Sequence, residues 1–430
     1  MQKIHLKSPR NWINDPNGFI YYKGKYHLFY QHFPYAPQWG RMHWGHAISN
    51  DLVTWEHLDI ALYPSKTDDR SGCFSGSAVE YNDKMYLFYT GVNYAEEDAE
   101  NINCTVNDNF IASQLMITSD DGMRFDNIRD KKTIIPSIAE KTIGSDIHTR
   151  DPKVWHGADA WYMILGSTVD MKGRFLFYRS FDLENWEYVN FCEKDNLGWM
   201  WECPDYFEVS GKGVVVFSPM GILNDGKAYD SAAICCLTEF DEKNCTMKMA
   251  DDYQMLDYGI DLYAPQSTTD ENGNRVIIAW ARMPETVDGK WNGMMCIPRL
   301  VEVKDGHIYF RPHPNVKSAF VNETKSPSHK KEYMLKTALK NREKINIGGY
   351  EIQRKNDRII TDRTNVFASD GNYRMTAETP VLNGKSEIEV YVDSNLIEVY
   401  VNNGEYVITS VVYGITDEIA GVNYTAFETE

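Results

Sequence analysis

The sequence predicts an all-β protein built as a five-bladed β-propeller followed by a carboxy-terminal β-sandwich. Aromatic residues make up 13% of the 430 residues, which favours β-structure, and long helical patterns are absent. Five short runs of aromatic and β-branched residues recur along the first two thirds of the chain. The last hundred or so residues instead alternate between apolar and polar positions. Repeated sheets followed by a separate alternating region are typical of this architecture.

Each of the five runs follows a Gly, Asp or Asn turn and is predicted to be a buried strand. The runs are residues 24–30, 83–89, 159–164, 213–217 and 274–280. Three of them are followed by a further strand and by a Ser-x-Asp turn that ends near an aromatic residue, at residues 49–55, 119–125 and 180–186. The spacing of these turns leaves room for a four-stranded antiparallel sheet in each repeat.

A polar stretch precedes each buried run by a similar distance. The stretches are residues 14–16, 74–76, 150–152, 202–204 and 261–264. Ordinary turn chemistry explains any one of them, since Asn, Asp, Pro and Gly are the usual turn formers. It does not explain why all five recur at the same place in the repeat. Because the first strand of each propeller blade lines the central channel, we expect these stretches to point at one axis.

The carboxy-terminal part of the chain has a different pattern. Ser386–Val392 and Leu396–Val401 alternate, residues 402–404 (Asn-Asn-Gly) predict a hairpin, and a further strand follows at 406–413. A lysine-rich stretch at 325–344 suggests a connector or an exposed edge. We therefore expect a catalytic propeller over residues 1–312, a linker over 313–335 and a structural β-sandwich over 336–430.

Composition excludes several classes of partner. The chain has 44 basic and 62 acidic residues and a net charge of −18, which argues against binding to nucleic acid or to an anionic membrane. Eight scattered cysteines without a CxxC pair indicate neither a disulfide framework nor a zinc site. No apolar run has the length of a signal peptide core or a transmembrane helix, so the expected location is the cytoplasm. The oligomeric state stays open.

Five motifs, taken in order, resemble glycoside hydrolase family 32. They are WINDPNG at 12–18 with residues 26–31 behind it, HWGHA at 43–47, RDP at 150–152, ECP at 202–204 and DYGIDLYA at 257–264. Residues 392–394 and 397–400 look like the sandwich domain of that family, so the resemblance covers nearly the whole chain. The family contains invertases, sucrose-6-phosphate hydrolases, levanases and inulinases. The resemblance implies a β-fructofuranosidase acting on a small sugar such as sucrose or sucrose 6-phosphate.

The resemblance also implies roles for three acids. Asp15 matches the nucleophile, Glu202 the acid/base, and Asp151 the group that stabilises the transition state through the fructosyl hydroxyls. Cleavage with retention needs two carboxyl groups about 5 Å apart, one ionised and one protonated. Arg150, beside Asp151, would help to keep that acid ionised.

Further positions match residues that contact substrate in the family. They are Asn14, Gln31, Trp39, Phe74, Ser75, Arg150, Tyr263 and Trp280. Amides and hydroxyls bind sugar hydroxyls, and aromatic faces pack on the apolar face of a furanose. Leu262 stands where the family usually has Phe, which affects local pocket shape alone. Cys203, next to Glu202, either tunes the acid or simply packs.

The sequence predicts neither a metal site nor a cofactor. His43 and His46 are three apart on a predicted strand, and no carboxylate is placed to complete a metal site, so we expect them to be structural. A phosphorylated substrate would need cationic donors at the pocket rim, for which Arg41, Lys66 and Arg70 are the candidates.

Other functions stay open or are disfavoured by the motifs. Fructan exo-hydrolysis and fructosyl transfer share the first half-reaction and are not excluded. A non-catalytic sugar-binding propeller would keep the aromatic residues but would not need all three acids. The five-bladed arabinanases and xylosidases also use three carboxylates, with inversion of configuration. The residues of the WINDPNG and ECP motifs argue against membership of those families.

Overall fold

The computed structural model describes residues 2–223, 225–384 and 386–429. In these ranges regular structure is almost entirely β, which confirms the all-β prediction. The helical segments are one short helix, α1 (Pro314–Ser318), and the 3-10 turns Thr67–Asp69, Val106–Asp108 and Thr364–Val366. None of these helices has the length and apolar character that a membrane crossing requires.

Five sheets, called I to V, come from the first part of the chain, and each contains a path of at least four antiparallel strands; in sheets I to IV these four follow one another in sequence. Sheet I contains Gln2–Lys3, Asn11–Tyr22, Lys25–Phe33, His43–Ser49, Thr54–His57 and, in parallel, Trp291–Asn292. Sheet II contains Gly72–Tyr81, Lys84–Tyr94, Phe110–Ser119 and Lys132–Ile135, and sheet III contains Arg150–His156, Trp161–Val169, Lys172–Ser180 and Glu187–Glu193. Sheet IV contains Met200–Val209, Lys212–Met220, Ile234–Asp241, Thr246–Met249 and Gln254–Met255. Sheet V contains Leu262–Thr269, Arg275–Ala281, Met294–Met295, Arg299–Lys304 and His307–Pro312.

The five buried runs of the sequence lie on the second strand of the antiparallel path in each sheet. In sheet II, for example, this strand is Lys84–Tyr94, which follows Gly72–Tyr81. Leu87, Phe88 and Tyr89 are consecutive and all fully buried, so this strand is covered on both faces. A continuous apolar run, rather than an alternating one, is the pattern that such a strand requires.

The Ser-x-Asp turns form the same hydrogen bonds each time. In the first turn the Ser49 hydroxyl accepts a hydrogen bond from Leu52 N at 2.8 Å, and the Asp51 carboxylate accepts one from Thr54 N at 2.8 Å. The turns that begin at Ser119 and Ser180 repeat both bonds. The local sequence thus determines the turn between the third and fourth strands of these sheets.

One strand of each sheet packs against its counterparts in the two neighbouring sheets. These strands are labelled β1 (Asn11–Tyr22), β2 (Gly72–Tyr81), β3 (Arg150–His156), β4 (Met200–Val209) and β5 (Leu262–Thr269). The contacts follow the order β1–β2–β3–β4–β5 and return from β5 to β1. The five strands therefore surround one axis.

Each of these strands shifts its pairing register at the same level. The shifts lie between residues 13 and 16, 73 and 76, 150 and 153, 202 and 205, and 263 and 266. The backbone is left-handed within three of them, at Asp151 (φ 65°), Cys203 (φ 49°) and Ala264 (φ 51°). A bulge inserts an extra residue into a strand and redirects its side chains. Here five bulges redirect side chains toward a shared space.

Polar bonds connect the five strands below the bulges. The Gln266 side chain on β5 accepts a hydrogen bond from Phe19 N at 2.8 Å and donates one to Gly76 O at 2.8 Å. Asp205 on β4 accepts from Lys153 Nζ at 2.9 Å, and Lys153 and Asp205 are both buried. A buried charge is stable when it is paired and hydrogen-bonded in this way. These contacts keep the strands at fixed positions around the axis.

The carboxy-terminal residues form two further sheets that pack face to face. Sheet VI contains Phe320–Thr324, Tyr333–Leu339, Ser386–Val392, Leu396–Val401, Tyr406–Val411 and Thr425–Thr429. Sheet VII contains Lys344–Ile347, Tyr350–Lys355, Arg358–Asp362, Thr376–Glu378 and Ile419–Gly421. One apolar core joins them and includes Leu335 and Val390 from sheet VI and Ile352 and Ile359 from sheet VII.

The segment 313–335, predicted from sequence as a linker, contains regular structure. Helix α1 is followed by Phe320–Thr324, which pairs with Thr425–Thr429 inside sheet VI. The lysine-rich stretch contains Tyr333–Leu339, which lies between two other strands of that sheet and is not an exposed edge. This strand contains a single lysine, the exposed Lys336, and the other lysines of the stretch lie outside it, so the lysine-rich composition masks the strand.

A buried cluster of charged side chains joins the two parts of the chain. His5 lies 3.1 Å from Asp393 and 2.9 Å from Glu398, and Arg299 lies 2.7 Å from Glu398 and 2.9 Å from Asp257. Burial alone would lower the pKa of His5, but hydrogen bonds to the two carboxylates outweigh it and raise the pKa to about 9. Burial would raise the pKa of Glu398, but the Arg299 and His5 charges lower it to about 2.

These shifts predict how stability depends on pH. The stabilisation from charged His5 is complete below pH 6.5 and is lost as the pH rises through about 9, while that from ionised Glu398 is lost as the pH falls toward about 2. As the pH rises from 6.5, the ordinary pKa of histidine, to about 9, the pKa of His5 in the folded protein, we expect the free energy of unfolding to fall by on the order of 3 kcal/mol. Urea denaturation at fixed ionic strength measures this slope, and His5→Gln should flatten it. His329→Gln, which removes an exposed contact to Asp417, is the control. Equal slopes in the wild type and His5→Gln would contradict this assignment.

Candidate active site

A cavity of about 430 Å³ opens at the level of the five bulges. Its volume lies within the range of small-molecule sites. All eleven side chains that the sequence assigns to a site line it. They are Asn14, Asp15, Gln31, Trp39, Phe74, Ser75, Arg150, Asp151, Glu202, Tyr263 and Trp280.

The three acids come from three different strands. Asp15 lies on β1, Asp151 on β3 and Glu202 on β4. The Cys203 thiol lies 3.5 Å from Asp15 Oδ2 and 3.6 Å from Asp151 Oδ2, so one sulfur contacts both carboxylates. Cys203 therefore faces Asp15 and Asp151. Burial raises the pKa of this thiol well above its usual value, so it stays protonated.

Asp15 is held by short hydrogen bonds. The Ser75 hydroxyl donates to Oδ2 at 2.6 Å, and the Asn14 amide donates to Oδ1 at 3.2 Å. Burial raises the pKa of Asp15, and the nearby Glu202 raises it further, while Ser75 and Asn14 oppose the shift by stabilising the ionised form. These donors stabilise the ionised form of a buried carboxylate.

Asp151 is fixed mainly through backbone groups. Cys203 N donates to Asp151 Oδ2 at 2.9 Å, and Asp151 N donates to the Thr90 hydroxyl at 2.9 Å. Burial raises the pKa of Asp151 to about 7, with smaller contributions from Glu202 and Asp15, while the Arg150 charge acts in the opposite direction. Unliganded Asp151 therefore changes charge near neutral pH.

Arg150 acts on two of the acids. Its charge acts to lower the pKa of Asp151, as the sequence led us to expect, and its Nε and Nη2 both donate to Glu202 Oε1, at 3.1 and 2.7 Å. The Tyr263 hydroxyl donates to Glu202 Oε2 at 2.5 Å. The left-handed backbone at Asp151 turns consecutive side chains to different parts of the cavity. Arg150 and Tyr263 thus fix both oxygens of Glu202.

Part of the cavity wall comes from residues outside the sequence motifs. The additional lining residues are Met42, Tyr94, Cys104, Thr105, Phe110, His148, Trp199 and Met220. Several extend an arc of ring contacts that runs from Trp39 through Phe74, Phe110 and His148 to Trp199, with neighbouring centroids 5.3 to 6.3 Å apart. His148 lies two residues before the RDP stretch and Trp199 three residues before the ECP stretch, so their position in the repeat was a usable signal. Phe110 has no such signal.

The cations proposed for a phosphate lie outside the cavity. Arg41 and Arg70 line a neighbouring surface groove, and Lys66 donates to Ile128 O.

The two histidines of the HWGHA motif have partners within the fold. His43 contacts Arg41 O, and His46 stacks on Phe29. In the described ranges no group of three or more His, Cys, Asp or Glu side chains is placed to hold a metal ion. Leu262 is buried in the main core and does not line the cavity.

Comparison with known families gives a direct match over both parts of the chain. The model described as glycosyl hydrolases family 32 N-terminal domain matches residues 5–312, and the family 32 C-terminal model matches residues 309–429. The chain belongs to glycosyl hydrolase family 32. Its relatives include the sucrose-6-phosphate hydrolase of Bacillus subtilis strain 168, which is 32% identical over 95% of this chain and 88% of the relative. The raffinose invertase of Escherichia coli is 37% identical over 73% of this chain and 65% of the relative.

Solved structures give the same family. The sucrose-6-phosphate hydrolase of Lactobacillus gasseri is 26% identical with a TM-score of 0.87, covering all of this chain and 93% of the other. A mutant of the family 32 β-fructofuranosidase of Bombyx mori in complex with sucrose is 29% identical with a TM-score of 0.82. It covers 99% of this chain and 92% of the other.

The contacts of Asp15 generate a prediction about its ionisation. Ser75→Ala removes the strongest donor to this carboxylate, so the pKa of Asp15 should rise further above its usual value. Cys203→Ala removes a weaker donor and should raise that pKa less. The measurement is infrared titration of the carboxylic C=O band that disappears in Asp15→Asn. Cys235→Ala removes a buried thiol outside the cavity and should leave the band's midpoint unchanged. A midpoint that Ser75→Ala does not move would contradict the assigned contact.

Proposed function

We propose that this chain is a retaining β-fructofuranosidase that hydrolyses the fructosyl bond of sucrose or sucrose 6-phosphate. The observation that supports this most strongly is the convergence of Asp15, Asp151 and Glu202 on one sugar-sized cavity. Fold and family agree with it, because the relatives and structures described above are named as sucrose-6-phosphate hydrolases, invertases and β-fructofuranosidases. Three acids around one bound sugar unit suit a reaction that uses a carboxylate nucleophile and a separate proton donor.

We also propose the domain architecture expected from the sequence. Residues 1–312 form a five-bladed propeller whose blades are sheets I to V, and sheets VI and VII form the sandwich assigned to residues 336–430. The cyclic packing of β1 to β5 supports the propeller. The strand Phe320–Thr324 belongs with the sandwich, so the connector is shorter than 313–335. Residues 1 and 430 lie outside the described ranges.

In the first step a carboxylate oxygen of Asp15 bonds to C2 of the fructosyl unit. The bond from C2 to the glycosidic oxygen breaks, its electron pair stays on that oxygen, and the oxygen takes the proton of Glu202. In the second step Glu202 takes a proton from water, whose oxygen bonds to C2 as the bond to Asp15 breaks. Both steps pass through a cationic fructosyl unit, and ionised Asp151 stabilises it through the sugar hydroxyls.

The substrate is assigned by class. The cavity accepts one terminal sugar, and its aromatic arc suits the flat faces of a second. Arg41, Lys66 and Arg70 do not line the cavity. The eight unpaired cysteines suit a reducing compartment, which supports the cytoplasm as location.

The roles of the two principal acids predict the behaviour of conservative variants. Asp15→Asn and Glu202→Gln should each lower kcat on sucrose by about three orders of magnitude or more, because each removes a bond-making or proton-donating group. Asp151→Asn should also lower kcat strongly. Far-UV and near-UV circular dichroism checks that the fold is retained. Asp121→Asn, in a surface turn, is the matched control. Substantial turnover in Asp15→Asn would refute its role as nucleophile.

Retention predicts a specific rescue. Glu202→Ala should form the fructosyl intermediate slowly, and added azide should attack C2 without needing a base. The expected product is a fructosyl azide with the configuration of the substrate, identified by NMR. An azide of inverted configuration would mean that no intermediate on Asp15 precedes it.

A panel of substrates separates the remaining alternatives. We expect sucrose and sucrose 6-phosphate to be cleaved with kcat/KM within about tenfold of each other, since the three candidate cations lie outside the cavity. 1-Kestose and inulin test fructan exo-hydrolysis, and accumulation of trisaccharide at high sucrose tests fructosyl transfer. A preference of several hundredfold for sucrose 6-phosphate would contradict the expected ratio.

A further inference from the structure

One wall of the cavity comes from an excursion between two strands of sheet II. Residues 95–109, called the rim loop, connect Lys84–Tyr94 to Phe110–Ser119. Cys104 and Thr105 of this loop line the cavity. The three acids lie on β1, β3 and β4 at the level of the bulges. The fructosyl unit must reach those acids, so the rim loop borders the space left for the leaving group.

The rim loop lacks an apolar anchor. Residues 95–107 are all exposed or half-buried, and the apolar side chain of Ile102 is 60% exposed. Internal bonds give the loop its shape, for example Thr105 Oγ1 to Glu96 O at 2.8 Å and to Asn109 O at 2.6 Å. On the side of sheet II, the hydroxyl of the buried Tyr94 holds the loop by donating to Asn103 O at 2.8 Å. A segment with few buried apolar contacts opens at low free-energy cost.

Arg41 connects the rim loop to the segment that carries Trp39 and Met42. Its Nε donates to Ile102 O at 2.9 Å, its Nη2 pairs with Glu97 Oε1 at 2.7 Å, and its guanidinium lies over the Tyr94 ring at 5.8 Å. Arg41 sits between Trp39 and Met42, which both line the cavity. One side chain therefore joins two walls at their outer edge, using the planar fork that Arg provides and Lys does not.

We propose that Arg41 is a positioning residue that sets the width of the cavity on the leaving-group side and so selects for a small leaving group. It acts through the rim loop and does not contact the reacting atoms. This rests on the proposed function, because the leaving group is defined by fructoside cleavage. The residue considered from sequence as a phosphate donor thus restricts leaving-group size instead.

The proposal predicts a change in selectivity and not a loss of chemistry. Arg41→Ala should raise the KM for sucrose by about three- to tenfold, the effect of losing one partly exposed ion pair and its hydrogen bond, while kcat changes less than about twofold. The leaving group of raffinose is a disaccharide. The kcat/KM of Arg41→Ala for raffinose should therefore fall less than its kcat/KM for sucrose, or should rise. The ratio of the two kcat/KM values is the quantity to measure.

Companion variants separate positioning from a general structural effect. Arg41→Lys keeps the charge but not the fork and should lie between the wild type and Arg41→Ala. Glu97→Gln should act in the same direction as Arg41→Ala, and the double variant should be no worse than Arg41→Ala alone because both changes break one contact. Added salt should raise the wild-type KM toward that of Arg41→Ala, since an exposed pair is screened. Lys66→Ala removes an equal charge outside the cavity. It should change neither the KM for sucrose nor the ratio of kcat/KM for sucrose and raffinose.

Hydrogen exchange gives a readout that does not depend on catalysis. Peptides covering residues 95–109 should exchange faster in Arg41→Ala than in the wild type or Lys66→Ala. Unchanged exchange, or an unchanged ratio of kcat/KM for sucrose and raffinose, overturns the role of Arg41. Failure of the wild type to cleave any fructoside would instead overturn the proposed function, while exchange would still test the contact between Arg41 and the loop.

Discussion

The structure depends on one constraint, which is that five strands around a common axis interrupt their pairing at the same level. A regular strand would send neighbouring side chains to opposite faces, so Arg150 and Asp151 could not both line one cavity. The bulge and the left-handed φ of Asp151 remove that restriction. The same device at Cys203 lets its backbone N–H and thiol contact Asp151 while Glu202 faces Arg150. Local backbone irregularity is thus what assembles the site.

The carboxy-terminal sheets support this arrangement from outside. Asp261, just before β5, pairs with Arg363 and accepts a hydrogen bond from Val411 N at 2.8 Å. Two residues further on, Tyr263 donates to Glu202. Asp257 is held in the same way by Arg299 and Thr409. A region without cavity-lining residues therefore fixes the start of a strand that positions the acid/base candidate.

Much of this organisation could be predicted from sequence because its signals are local. The buried runs and the Ser-x-Asp turns each specify their own conformation, and the strands Ser386–Val392 and Leu396–Val401 were predicted with the bounds that the structure has. Eight of the eleven site residues lie in the polar stretches that recur in the repeat, while Gln31, Trp39 and Trp280 were assigned from the family resemblance. The hydrogen bonds of Arg150 to Glu202, the ring of Phe110 and the contact of Arg41 with the rim loop depend on distant chain segments. No local pattern encodes them, and the many lysines of residues 325–344 obscured the strand Tyr333–Leu339, which itself contains one lysine.

We propose that the bulges bring the three acids to one fructosyl unit. A crystal structure of Asp15→Asn with bound sucrose would test this arrangement. We expect C2 of the fructosyl ring beside residue 15, the glycosidic oxygen within hydrogen-bond distance of Glu202, and the fructosyl hydroxyls on Asp151. Sucrose bound with its glycosidic oxygen away from Glu202, or outside the cavity, would contradict it.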